Sequence, residues 1–104
     1  MSIALVLCTC PDSESAELIA RTLVDERLAA CVSEVPGVRS TYRWQGKVTR
    51  DDEVLLAIKT TRARHGDVER RITSLHPAEL PEIVVVDVVA GLQRYLRWVE
   101  EAVD

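Results

Sequence analysis

Glu53-Val54-Leu55-Leu56-Ala57-Ile58-Lys59-Thr60 is the stretch that decides the fold. Its centre, Val54 to Ile58, is apolar without a polar break. Successive strand residues point to opposite faces, so an unbroken apolar strand calls for cover on both. Whatever lies around this strand must supply two covers.

Upstream, Ile3–Cys10 is a second apolar, branched run that Pro11 stops, and it reads as a buried strand. Asp12 or Ser13 then caps a helix, with Glu14 and Glu17 placed favourably against its N-terminal dipole. Ala16, Ile19, Ala20 and Leu23 give that helix a core stripe, and it runs to about Arg27. Ala29–Val35 is a short strand broken by Pro36-Gly37; Val38–Trp44 resumes extended structure and Gln45-Gly46 turns the chain. Downstream, a second helix spans about Arg62 to His76, with His65, Val68, Ile72 and Leu75 on one face and Pro77 ending it. Ile83–Val89 is the last strand, and a short amphipathic helix carrying Leu92, Tyr95, Leu96 and Val99 follows Gly91.

The order is β-α-β-β-α-β plus a terminal helix, an α+β, ferredoxin-like sandwich. At 104 residues the chain is one domain, 1–104. Both main helices pack on one sheet face. Only the terminal helix remains for the other, so association with further copies is the natural solution. The chain has no Phe, two Tyr and two Trp. Tyr42 and Trp44, two residues apart on one strand, therefore project half of its rings from one face, and that face calls for a cover.

A net charge of -4 disfavours nonspecific binding to nucleic acid. The longest apolar runs, Ile3–Cys8 and Ile83–Val86, fall far short of the roughly 20 residues of a membrane span. No basic segment precedes the first run, so the expected location is the cytoplasm. Three cysteines, Cys8, Cys10 and Cys31, without a disulfide-framework spacing fit a reducing compartment.

Cys8 and Cys10 share one strand face, either as small buried hydrophobes or as a chelate for a soft metal. His65 reads as a half-buried or interface residue. His76, at a helix end, either caps the helix or meets a ligand. Glu79 and Glu82, on a Pro-restricted loop, either bind cations or are solvated. Lys59 is an interface or anion contact, or simply snorkels. No phosphate-cradling glycine loop and no nucleophile–base pair is legible, which argues against an enzyme.

Several blocks in order and spacing resemble one family. They are Thr9-Cys10-Pro11-Asp12, Leu28-Ala29-Ala30-Cys31-Val32, Tyr42-Arg43-Trp44-Gln45-Gly46-Lys47, Leu75-His76-Pro77, Leu80-Pro81-Glu82-Ile83 and Tyr95-Leu96-Arg97-Trp98. Together they are similar to the CutA family of divalent-cation tolerance proteins, from about Leu5 to Val103. The resemblance implies a homotrimer built like the PII signalling proteins, with the Tyr42–Lys47 hairpin pairing with a neighbour. It implies a role in divalent-metal tolerance, and copper binding through a first-strand cysteine and two adjacent histidines. Cys8 falls at the cysteine position and His76 at the second histidine; Leu75 stands where the first histidine would be. Cu(I) accepts low coordination, and Cys10 is the substitute donor at hand. No cofactor is required. The competing readings are a PII-like sensor of a small ligand or anion, bound between subunits by Lys59, His76, Glu79 and Glu82, and a trimeric scaffold that anchors a partner protein.

Overall fold

A computed structural model describes residues 2–104. Strand β1 (Ile3–Cys10) leads to helix α1 (Ser13–Asp25), then strands β2 (Cys31–Trp44) and β3 (Lys47–Thr61). A single 3-10 turn, Arg62–Arg64, enters helix α2 (His65–Leu75), and strand β4 (Ile83–Val88) and helix α3 (Gln93–Ala102) complete the chain. The sheet order is β2-β3-β1-β4 and every pairing is antiparallel. The α+β sandwich expected from the element order is the architecture observed.

Strand alternation assigns the layers. Val6, Cys8 and Cys10 of β1 and Leu56 and Ile58 of β3 point to one face, where they form a single core with Ile19 and Leu23 of α1 and Val68 and Ile72 of α2. Leu75 packs against the edge of this core. Ile3 points the other way and meets Val99 of α3. The expected two-sided cover of β3 is therefore half supplied within one chain: Leu56 and Ile58 are sealed, while Leu55 and Ala57 are only half-buried.

Asp12 caps α1 through its side chain, which accepts the Ser15 N–H at 2.8 Å. That bond holds the Asp12 carboxyl below the usual range. The helix stops at Asp25, two residues before the sequence suggests, and the reason is visible. Arg27 takes a left-handed φ of 59°, and the N–H groups of Arg27 and Leu28 bond back to the Val24 and Leu23 carbonyls. This is a Schellman closure with arginine where glycine is usual.

The expected break at Pro36-Gly37 is instead a bulge. The β2–β3 register shifts between Val35 and Val38, and β2 continues through it as one strand. Gly37 accommodates the shift at φ 77°. Gln45 and Gly46, both at positive φ, close the hairpin in a two-residue turn. From Val38 to Glu53 the two strands pair only with each other, so the hairpin projects as a ribbon beyond the β1–β4 part of the sheet.

Thr60 is fully buried, and its hydroxyl donates to the Leu28 carbonyl at 2.7 Å, tying β3 to the turn after α1. Thr60→Val leaves that carbonyl unpaired inside the protein. It should destabilise the fold by about 1–3 kcal/mol. A urea melt should show a lower midpoint with an unchanged slope.

Candidate metal centre

The end of β1 and the end of α2 meet at one point. Cys8 and Cys10 lie on the helix-covered face of β1, each at 0% exposure. His76 follows the last residue of α2 with an extended backbone (φ -72°, ψ 134°), the geometry that Pro77 imposes on the residue before it. Its N–H still bonds to the Ile72 carbonyl at 2.8 Å, which fixes the ring's starting point. The two sulfurs and a ring nitrogen of His76 all lie within 4.8 Å of one another.

The ring's protonation follows from its partners. The Ala78 backbone N–H points at Nδ1 from 3.0 Å and can only donate, so Nδ1 accepts. Nε2 therefore carries the proton and donates it to the Thr9 carbonyl at 2.7 Å. His76 thus locks the 76–78 turn to β1, and the capping and ligand readings meet in one residue. A metal at either nitrogen must displace the hydrogen bond made there.

The thiols are electrostatically unequal. Cys8 lies well above the ordinary thiol range, first through its hydrogen bond with Cys10, then through burial and through the Cys10, Glu82 and Glu53 charges. Cys10 is held down by the same hydrogen bond, against opposing contributions from burial and nearby carboxylates. Cys10 is thus the sulfur that ionises more easily. The donor set itself, two sulfurs and an imidazole, has the chemistry of a soft or borderline metal ion. Its reach suits one as well: sulfurs bound to one ion at about 2.3 Å sit roughly 4 Å apart.

His76 also borders a cleft of about 660 Å³ between the 76–82 loop and the hairpin ribbon. Glu79 and Glu82 line it from the loop, and Tyr42, Trp44, Asp51 and Glu53 from the ribbon; no Lys or Arg contributes. Tyr42 donates its hydroxyl to Asp51, and that bond holds the phenol above its usual range. The expected cleft residues His76, Glu79 and Glu82 are thus brought together, but Lys59 of the same chain is not among them. It lies six residues along β3 from Glu53, about 20 Å away at strand spacing, where its ammonium donates to the Ser33 hydroxyl at 2.6 Å. Asp51 and Glu53 are not among the expected cleft residues, since in the sequence they belong only to a short acidic stretch, Asp51-Asp52-Glu53. The signal was present, because a two-residue turn at Gln45-Gly46 sets Asp51 opposite Ser40 and Glu53 opposite Val38, beside the two rings.

A model of the CutA1 divalent ion tolerance protein family matches residues 4–102. The divalent-cation tolerance protein CutA of Thermus thermophilus is 48% identical over 97 residues, covering 93% of this chain and 94% of its own length. Protein CutA of Mus musculus is 38% identical over 103 residues, and the chain spans only 58% of that protein. The crystal structure of CutA from Xylella fastidiosa superimposes with a TM-score of 0.97 at 47% identity, over the whole of both chains.

The burial of Cys8 and Cys10 makes a kinetic prediction. In the folded, metal-free protein both should react with a thiol reagent only at the rate of unfolding. Mass mapping of alkylated peptides at neutral pH checks this; rapid modification of either would mean that the strand end opens locally.

Proposed function

The chain belongs to the CutA1 divalent ion tolerance family, and we propose that it is a non-enzymatic metal-binding member that takes copper through Cys8 and His76. The observation that carries this reading is the convergence of the β1 thiols and the His76 ring within 4.8 Å. A lone core cysteine needs no such neighbour. The carboxylates of the adjoining cleft favour a cation over an anion there. The affinity is modest, because the ring must first give up a hydrogen bond to Thr9 or Ala78. Three cysteines without a disulfide fit a reducing, cytoplasmic setting.

The working unit in this proposal is a homotrimer. The sheet face opposite α1 and α2 leaves Val84, Val86 and Val35 exposed, and Leu92, just before α3, and Tyr95 and Trp98 on it are exposed to solvent. An apolar surface of this kind marks an interface in a soluble protein. The hairpin ribbon points the same way, since an isolated two-stranded ribbon is marginal in water and gains stability from a neighbour.

Copper titration of the reduced protein checks the site: Cys8→Ala and His76→Ala should each lower affinity, and equal affinity in all three proteins would reject it. Sedimentation checks the assembly. A trimer is expected at micromolar concentration, and Trp44→Ala should weaken it by up to the roughly 3–5 kcal/mol of a truncated buried ring. A monomeric wild type would reject the trimer.

A further inference from the structure

We infer that Cys10 is a third metal donor, and that Cys8, Cys10 and His76 form a sulfur-rich site selecting a soft monovalent ion, copper(I), over divalent ions. The inference rests on the metal-binding reading above and adds the ion's class and an additional ligand. Leu75 cannot serve as a donor: it is a hydrocarbon packed against the core. The donor that completes the cluster comes from β1 instead. Strand alternation puts Cys10 on the same face as Cys8, and its sulfur joins the group lying within 4.8 Å.

Coordination number decides the class of ion. Zinc in a closed protein site takes four ligands, and magnesium or calcium takes six or more oxygens. Among the described residues this cluster holds three donors and no carboxylate. It cannot easily recruit a fourth by moving β1, because Cys8 is paired on both sides, to Leu56 and to Ile83, and Cys10 is paired to Val54. Both cysteines are at 0% exposure, which keeps water from filling a fourth position on the sulfur side. The Thr9 carbonyl beside the cluster is already bonded to His76, and a carbonyl is a hard donor. Two thiolates and an imidazole at this spacing suit a closed-shell ion content with two or three ligands. A separation within 4.8 Å admits either geometry, since bonds near 2.3 Å put the sulfurs about 4.6 Å apart when linear and about 4 Å apart when trigonal.

The test uses the full chain, reduced and anaerobic. Copper supplied as Cu(I) is titrated against a chromophoric Cu(I) chelator, with Ag(I) as a redox-inert probe and Zn(II) as divalent competitor. X-ray absorption of the Cu(I) form counts its ligands without any substitution. One Cu(I) or Ag(I) per chain, bound to two sulfurs and one nitrogen and not displaced by equimolar Zn(II), is the expected result. Cys10→Ser should lower Cu(I) affinity by more than about 100-fold, beyond what loss of an outer-shell partner costs. A melt of the metal-free variant separates this loss from misfolding. One sulfur in the absorption spectrum, or preferential Zn(II) binding, would overturn the inference while leaving a Cys8–His76 metal site standing. Absence of any metal binding by the wild type would remove both.

Discussion

The pairing of β1 on both sides is the constraint on which the rest depends. Val6 lies between Ile58 and Val85, and Cys8 between Leu56 and Ile83. A strand held by two ladders cannot slip, because a shift of one residue would exchange its faces. That fixed register sends Val6, Cys8 and Cys10 toward the helices and Leu5, Leu7 and Thr9 toward the open side. The same alternation that builds the core thus places two thiols together at its end. Thr9, between them, turns its carbonyl to His76 and so fastens the loop after α2.

The second consequence concerns what one chain cannot cover. Helices α1 and α2 seal one face, and α3 reaches only the end of the other, where Val99 meets Ile3. The tilted Tyr95–Trp98 pair, with ring centroids 5.7 Å apart, lies on the exposed side of α3. Burying such rings contributes far more than leaving them in water. The apolar residues left outside form a second hydrophobic layer, the one that the proposed trimer would cover.

Most of the fold was legible because its signals are local. Proline fixed the ends of β1 and α2, apolar runs marked β1, β3 and β4, and Gln45-Gly46 marked the turn. The errors also have local causes. Pro36-Gly37 breaks a pattern in sequence, yet the pairing of β2 with β3 on both sides of it carries β2 through as a bulge, as tertiary pairing overrides propensity elsewhere. Arg27 looks like a continuing helix residue, since nothing in an arginine announces a left-handed turn. In the site, only the family resemblance brought Cys8, Cys10 and His76 together; the residue pattern by itself did not. Their meeting depends on how α2 crosses the sheet, and no spacing between positions 10 and 76 encodes that.

The position of His76 links the thiols to the cleft. Cys8 and Cys10 are sealed, whereas His76 is part-buried and borders the acidic cavity. It is therefore the one member of the cluster in contact with both environments. In the proposed site, an ion drawn by Glu53, Glu79 and Glu82 would meet the imidazole before it met sulfur. Passage inward would require the ring to release Thr9 or Ala78, so the hydrogen bonds that hold the 76–78 turn would also resist entry of the proposed metal. Stability of the loop and access to the sulfurs are opposed through a single side chain, and whatever loosens that turn should speed loading while weakening the fold there.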